Sequence, residues 1–363
     1  MKRINNFVLA LALAFVLLPT ASLIATAQSQ PAPLTSKELV ALVYQLPTHP
    51  EKREAIVAEV RRRGIGFPLT SGMRSLVASK SGNDALLRRT LEEAERRRAN
   101  PTASVLPPEK EAIDLLERTR IATLAAADAM PDFLVKQLIK RSEAHGTTNN
   151  WTVQDNLTIA VGYRANLGEQ YKVLAINGMP ASPDAQETND YSKKVGGGVS
   201  SRGVEYISAL ANLFKPESRA EFKLADTDLI RERRTLVYEF EVAKPFSSLT
   251  LSAGGASTGA GSRGRVWIDR ETNRVLRFEQ IATEIEPGFP ITAARSLIDY
   301  DWVTISEKKY LLPTNSEVVL SSVNRQMALQ SRNEIRFRGY QKFSAEMKII
   351  DVIEDDDFPP EKP

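Results

Sequence analysis

From Phe133 onward the apolar residues of this chain recur at every second position. Leu157, Ile159, Val161 and Tyr163 alternate with small or polar residues, and Ala220, Phe222 and Leu224 alternate with Glu221 and Lys223. Leu236, Tyr238, Phe240 and Val242 stand opposite Val237, Glu239 and Glu241, and Ile298, Tyr300 and Trp302 alternate with Asp299 and Asp301. A period of two belongs to β-strands with one buried and one wet face, which pair antiparallel. Turn residues separate the runs at Asn166-Leu167-Gly168, Asn177-Gly178, Asp269 to Asn273 and Ser306 to Lys308. Roughly ten strands are expected, starting near residues 133, 152, 169, 219, 234, 248, 264, 274, 296, 310 and 330.

A sheet of that size must hide its apolar face by closing, by doubling into a sandwich or by curling around helices. Two helical stretches can fill such a curl. Residues 108–130 follow Pro107-Pro108, carry Glu109, Glu111 and Asp114 where the helix dipole favours negative charge, and stop at Pro131. Gly203 to Phe214 places Val204, Ile207, Leu210 and Leu213 at intervals of three. The expected fold is α+β: a curled antiparallel sheet (half-barrel) over residues 108–352, with helices on its concave face.

A small helical module over residues 34–99 precedes the sheet. It holds a loose two-fold repeat: Leu34-Thr35-Ser36 recurs as Leu69-Thr70-Ser71, and Leu42-Val43 as Leu76-Val77. Each half opens on a Ser or Thr suited to an N-cap and closes on basic residues, Arg61-Arg62-Arg63-Gly64 and Arg96-Arg97-Arg98. The module carries 13 Lys or Arg against 8 Asp or Glu. One reading is a four-helix adaptor with capped ends; another is a basic docking surface for an acidic protein or an anionic lipid.

Residues 1–27 read as a secretory signal. Lys2 and Arg3 precede the apolar run Phe7 to Leu18, and Ala25-Thr26-Ala27 supplies the small-x-small cleavage pattern. The mature chain is expected to be soluble and periplasmic or secreted, in a bacterial envelope. Losing the leader removes two cations and no acid, leaving a net charge of +1, which gives no reason to expect nucleic acid. The tail, 353–363, is acidic and then proline-rich.

The chain carries few residues in patterns that do chemistry. The chain has no Cys, which excludes disulfides, thiolate metal sites and a Cys nucleophile, and it has two His. Neither His49 nor His145 stands at a recognised spacing from a nucleophile, and although a triad is defined in space and not in sequence, none on His145 is expected. Gly254 to Gly261 lacks the Lys-Ser/Thr of a P-loop and reads as a mobile hairpin loop; Gly196-Gly197-Gly198 could offer amides to an anion but reads as a flexible loop. Asp355-Asp356-Asp357 lies outside any calcium-loop pattern. No enzymatic activity, cofactor or metal is expected. The strand aromatics are more suggestive. Phe222, Tyr238, Phe240, Trp267, Phe278, Tyr300 and Trp302 would line any cavity that the curl leaves unfilled.

The strand-turn-strand Gly264-Arg265-Val266-Trp267-Ile268-Asp269-Arg270-Glu271-Thr272-Asn273-Arg274-Val275-Leu276-Arg277 resembles the LolA/LolB-like periplasmic lipoprotein-carrier group. So do Tyr300-Asp301-Trp302 to Tyr310-Leu311-Leu312-Pro313 and Gly168-Glu169-Gln170-Tyr171 to Ile176-Asn177-Gly178. The resemblance covers residues 108–350, and the basic module 34–99 is extra to a minimal carrier. It implies a hydrophobic pocket between sheet and helices and binding of a lipid or lipidated protein, without covalent chemistry. The expected function is a non-enzymatic carrier or binding protein for an apolar or lipidated ligand. The alternative is an envelope scaffold whose sheet is fully packed and holds no ligand.

Overall fold

The computed structural model describes residues 31–165, 167–182, 207–253, 255–324 and 327–343. The leader expected over residues 1–27, Gly196-Gly197-Gly198, the first residues of the second helical stretch and the tail 353–363 lie outside them.

The helical module contains α1 (Ser36–Val43), α2 (Arg53–Arg63), α3 (Ser71–Lys80) and α4 (Ala85–Ala99). Two of these helices open on threonine caps. Thr35 accepts from the Glu38 amide while the Glu38 carboxylate accepts from the Thr35 amide, closing a capping box at α1, and Thr70 caps α3 through the Met73 amide. Gly64 ends α2 in the left-handed region, at φ 67°. The module has its own apolar core, in which Leu39, Val43, Val60, Leu87 and Leu91 are almost fully buried.

The chain then forms α5 (Glu109–Asp128) and an antiparallel run of strands. These are β1 (Phe133–His145), β2 (Thr152–Arg164), β3 (Gly168–Ile176) and β4 (Met179–Pro180), followed by α6 (Ile207–Phe214). Next come β5 (Glu221–Ile230), β6 (Arg233–Val242), β7 (Thr250–Ala253), β8 (Ala256–Gly259) and β9 (Gly261–Asp269). The long strands β10 (Val275–Thr283), β11 (Ile291–Ile305), β12 (Lys308–Asn324) and β13 (Met327–Lys342) complete the order. Eleven strands make one sheet, in the order β4-β3-β2-β1-β13-β12-β11-β10-β9-β6-β5, with β4 and β5 at open edges. The observed fold is thus the curled α+β half-barrel.

One expectation is corrected. The glycine-rich run 254–261 is not simply a loop, because Ala256–Gly259 is a strand that pairs with Thr250–Ala253 in a separate two-stranded sheet. Ser257 and Thr258 within the run supply side chains to that ladder. The other turns follow their residues. Ser306 and Glu307 both have positive φ, as do Arg231 and Glu232, the backbone that a two-residue hairpin turn demands. Buried Asp269 builds the β9–β10 turn by accepting from the Glu271 amide at 3.1 Å and the Thr272 hydroxyl at 2.6 Å.

Helix α5 lies along the concave face and touches both halves of its core. Ala112 and Leu115 meet the cluster of Tyr238, Phe240 and Phe278, while Ala126 and Ala127 meet that of Phe133, Ile139 and Phe337. Leu210, Leu213 and Phe214 of α6 join the first cluster. Among the described residues, no helix is long and apolar enough to cross a membrane.

Candidate functional site

The concave face is floored by rings. Phe214 of α6 stacks on Phe222 at 5.3 Å, Phe222 lies 6.3 Å from Phe240, and Phe240 stacks on Phe278 at 5.6 Å. Such pairs contribute about 0.5–1.5 kcal/mol beyond their buried area. Register places Phe222 opposite Phe240 and Tyr238 opposite Val266 on this face. Tyr238 donates its hydroxyl to the Ala112 carbonyl of α5 at 2.8 Å, and burial raises its pKa.

The seven aromatic residues singled out in the sequence do not share one wall. Tyr238, Phe240 and Phe278 are buried on the concave face, with Phe222 partly buried beside them. Tyr300 is buried and Trp302 partly buried in the same cluster. Trp267 points the other way. It is opposite Val237 and next to Arg265, and its indole nitrogen donates to Asp228 at 3.1 Å on the convex face. A cleft of about 620 Å³ opens on that convex side, and none of the seven lines it.

The convex face carries an ionic layer that sequence reasoning missed. Arg61 of α2 donates to both Glu279 oxygens at 2.9 and 3.1 Å. Arg96 of α4 forms a fork on Asp228 at 2.7 and 2.9 Å, Arg97 lies 2.5 Å from Asp226, and Arg89 lies 3.7 Å from Glu317. Much of the module's positive charge therefore meets acids of the chain's own sheet. The available signal was the alternation of Arg263 and Arg265 with Val266 and of Glu239 and Glu241 with Phe240, which marks a face too charged to be bare apolar surface.

Burial pushes the Glu279 carboxyl up, but Arg61 and Arg89 outweigh it and hold it below the ordinary glutamate range. Glu93 of α4, also buried, goes the opposite way: desolvation raises it against the pull of Arg61, and Asp228 and Glu279 add to the rise. A raised folded-state pKa means that stability is complete below the unfolded value and is lost as pH rises through the folded one. Glu93→Gln is therefore expected to raise the melting temperature at pH 8 and to leave it unchanged at pH 4. Thermal scans at the two pH values check this, and a lower melting temperature at pH 8 would refute it.

His49 bonds Glu51 at 3.0 Å on the surface, and His145 ends β1 at an exposed position. Among the described residues, no group of three His, Asp or Glu side chains could hold a metal ion.

No family model and no curated protein matches the sequence. Among solved structures the chain is similar to a LolA superfamily protein from Nitrosomonas europaea, 12% identical over 62% of this chain and 94% of that one, with a TM-score of 0.32. It is also similar to a DUF1329 family protein from Desulfovibrio piger, 11% identical over 67% of this chain and 96% of that one, with a TM-score of 0.31. A chain of the Pseudomonas aeruginosa MucA/MucB complex is 11% identical over 64% of this chain and all of that one, with a TM-score of 0.18. The first of these carries the name of the group that the strand-turn-strand segments resemble. The fold itself is established by this chain's own strand order and helix placement.

Proposed function

We propose that this chain is an exported, non-enzymatic binding or carrier protein that takes an apolar or lipidated ligand between α5 and the concave face of its sheet. The observation that carries the reading is how lightly α5 is held over an aromatic floor. Its buried residues are Ala112, Leu115, Thr119 and Thr123, whereas its bulky Ile113 and Ile121 are 59% and 62% exposed. A buried methylene contributes about 0.8 kcal/mol and a whole leucine about 1.5–3 kcal/mol. An alkyl chain entering beneath the helix would offset the loss of such small contacts many times over. Its polar ties, the buried Tyr238 hydroxyl to the Ala112 carbonyl and the exposed pairs Arg118 to Asn273 at 3.1 Å and Arg270 to Glu111 at 2.5 Å, can release without unfolding the sheet. The secretory pattern of residues 1–27, with its charged start, apolar run and small-x-small end, supports a site of action outside the cytoplasm. The rival reading, a packed scaffold, is favoured by the ring-on-ring contacts of Phe214, Phe222, Phe240 and Phe278.

Native mass spectrometry of the mature chain from a periplasm, with titration of a fluorescent fatty acid, separates the two. The carrier reading expects retained lipid or saturable probe uptake. It also expects Tyr238→Phe, which frees the Ala112 carbonyl, to speed uptake severalfold. No lipid and no uptake by either protein would leave the scaffold.

A further inference from the structure

A second site lies on the other side of the sheet. The cleft of about 620 Å³ sits between the α3–α4 turn, the start of α2, the β1–β2 loop and β13. Its lining includes four cations, Arg53, Lys80, Lys140 and Arg332, together with Ser142 and Trp151, and contains no carboxylate. Two carboxylates stand behind the wall. Asp84 lies 3.4 Å from Arg53 Nε, and Glu334 lies 3.2 Å from Arg332. Glu334 also stands opposite Lys140 in the β1–β13 register, so these acids hold the cations in place from behind the lining.

The walls are held before any ligand arrives. Asn149 donates its side-chain amide to Asp84 and its backbone N–H to Gln330 Oε1, both at 3.1 Å. Arg53 donates to the Thr147 carbonyl at 3.1 Å. Gly82 brings the α3–α4 turn so close that a Cβ there would stand 2.4 Å from the Thr148 carbonyl oxygen, and its φ of +63° excludes most side chains in any case. Arg332 stacks over the Trp151 ring at 4.6 Å, and Lys80 over the Tyr44 ring at 4.5 Å.

Two lining groups have buried polar atoms without a hydrogen-bond partner among the described residues, Ser142 Oγ and Arg332 Nε, while Arg53 Nε faces only the Asp84 carboxylate at 3.4 Å. Buried donors left unmatched are rare in folded proteins and ask for an acceptor. Forked guanidiniums, ammonium groups and a hydroxyl around one volume suit a compact anion with several acceptor oxygens.

We propose that this cleft binds a phosphate ester, with the phosphate among Lys80, Lys140 and the two arginines and the organic part against Trp151. The shared chemistry could come from a soluble ester or from a phospholipid headgroup. The site is independent of any ligand beneath α5, so either proposal can fail alone.

Calorimetry on the full mature chain tests it with glycerol 3-phosphate in one arm and phosphatidic-acid vesicles in the other, with sodium acetate as the comparison anion. The expected result is saturable binding of at least one phosphate probe, weakened about tenfold or more in the double variant Lys80→Gln/Lys140→Gln. Lys37→Gln, on α1 away from the cleft, should bind as the native chain does. Binding of the soluble ester assigns a free ligand; binding of vesicles alone assigns a headgroup; either supports the site. No binding of either probe, equal binding of acetate, or equal losses in Lys37→Gln would overturn it. Fatty-acid uptake measured on the double variant should be unchanged, which keeps this outcome separate from that of the carrier reading.

Discussion

Arg61→Ala is expected to lower stability by about 3–5 kcal/mol, the range for removing one partner of a buried ion pair. Glu279 is 1% exposed and receives both Arg61 hydrogen bonds, so the variant leaves a carboxylate without its main counter-charge in a dehydrated layer. Arg89, which also lowers the Glu279 pKa, remains nearby, but it lies 3.7 Å from Glu317 and cannot take over both Arg61 hydrogen bonds. The effect has a pH signature. In the native chain the Glu279 pKa is depressed, so its contribution is present above the unfolded value of 4.5 and is lost as pH falls through the folded one. In Arg61→Ala the largest source of that depression is removed, so the deficit relative to the native chain should shrink as pH falls below about 4.5. Denaturant titrations at pH 7 and pH 4 measure both quantities. The double replacement Arg61→Met/Glu279→Leu should recover most of the loss, because apolar residues of similar volume often substitute for a buried pair. Hydrogen exchange should show the damage first in α2 and α4, whose hold on the sheet runs through these arginines. A loss below about 1 kcal/mol for Arg61→Ala, typical of an exposed pair, would refute the buried ionic layer.

Gly264→Ala is expected to destabilise by about 3 kcal/mol or more, at or beyond the upper end for overpacking. The reason is space. A Cβ at Gly264 would lie 1.8 Å from the Glu279 carbonyl oxygen and 2.9 Å from the Phe240 ring. The first obstacle is backbone in the neighbouring strand and cannot rotate away, so β9 and β10 would have to part in the middle of the sheet. Gly259 is the control: a Cβ there meets nothing within 4 Å, and alanine should be neutral or stabilise by about 0.4–1 kcal/mol. Thermal and denaturant unfolding of the two variants side by side checks the contrast. Equal stabilities would show that the strands at Gly264 are not packed as described.

Much of the fold was legible because it is written at short range. Alternation at Leu236, Tyr238 and Phe240 and turn residues such as Asp269 located strands close to their observed starts. Thr35 and Thr70 marked the helix starts they cap. The strand β8 escaped because Gly254 to Gly261 has composition but no apolar alternation. The face of Trp267 was missed for a different reason. Val266, Trp267 and Ile268 are all apolar, so period two cannot say which of them looks toward the helices, and the answer lies in pairing with Val237 and contact with Asp228.

The arginines divide the two kinds of information most clearly. In the sequence, Arg61-Arg62-Arg63 and Arg96-Arg97-Arg98 are cations in the last turns of helices, which residues three or four positions away suffice to explain. In the structure, Arg62 does bond its neighbour Glu59 three positions earlier, but Arg61 reaches Glu279, 218 positions on, and Arg96 reaches Asp228, 132 positions on. Hydrophobic period, caps and turns act between near neighbours and so are inherited directly from residue order. Which charges meet, which face α5 covers and where a cleft remains depend on how finished elements dock, because Coulomb attraction and burial are functions of distance in space.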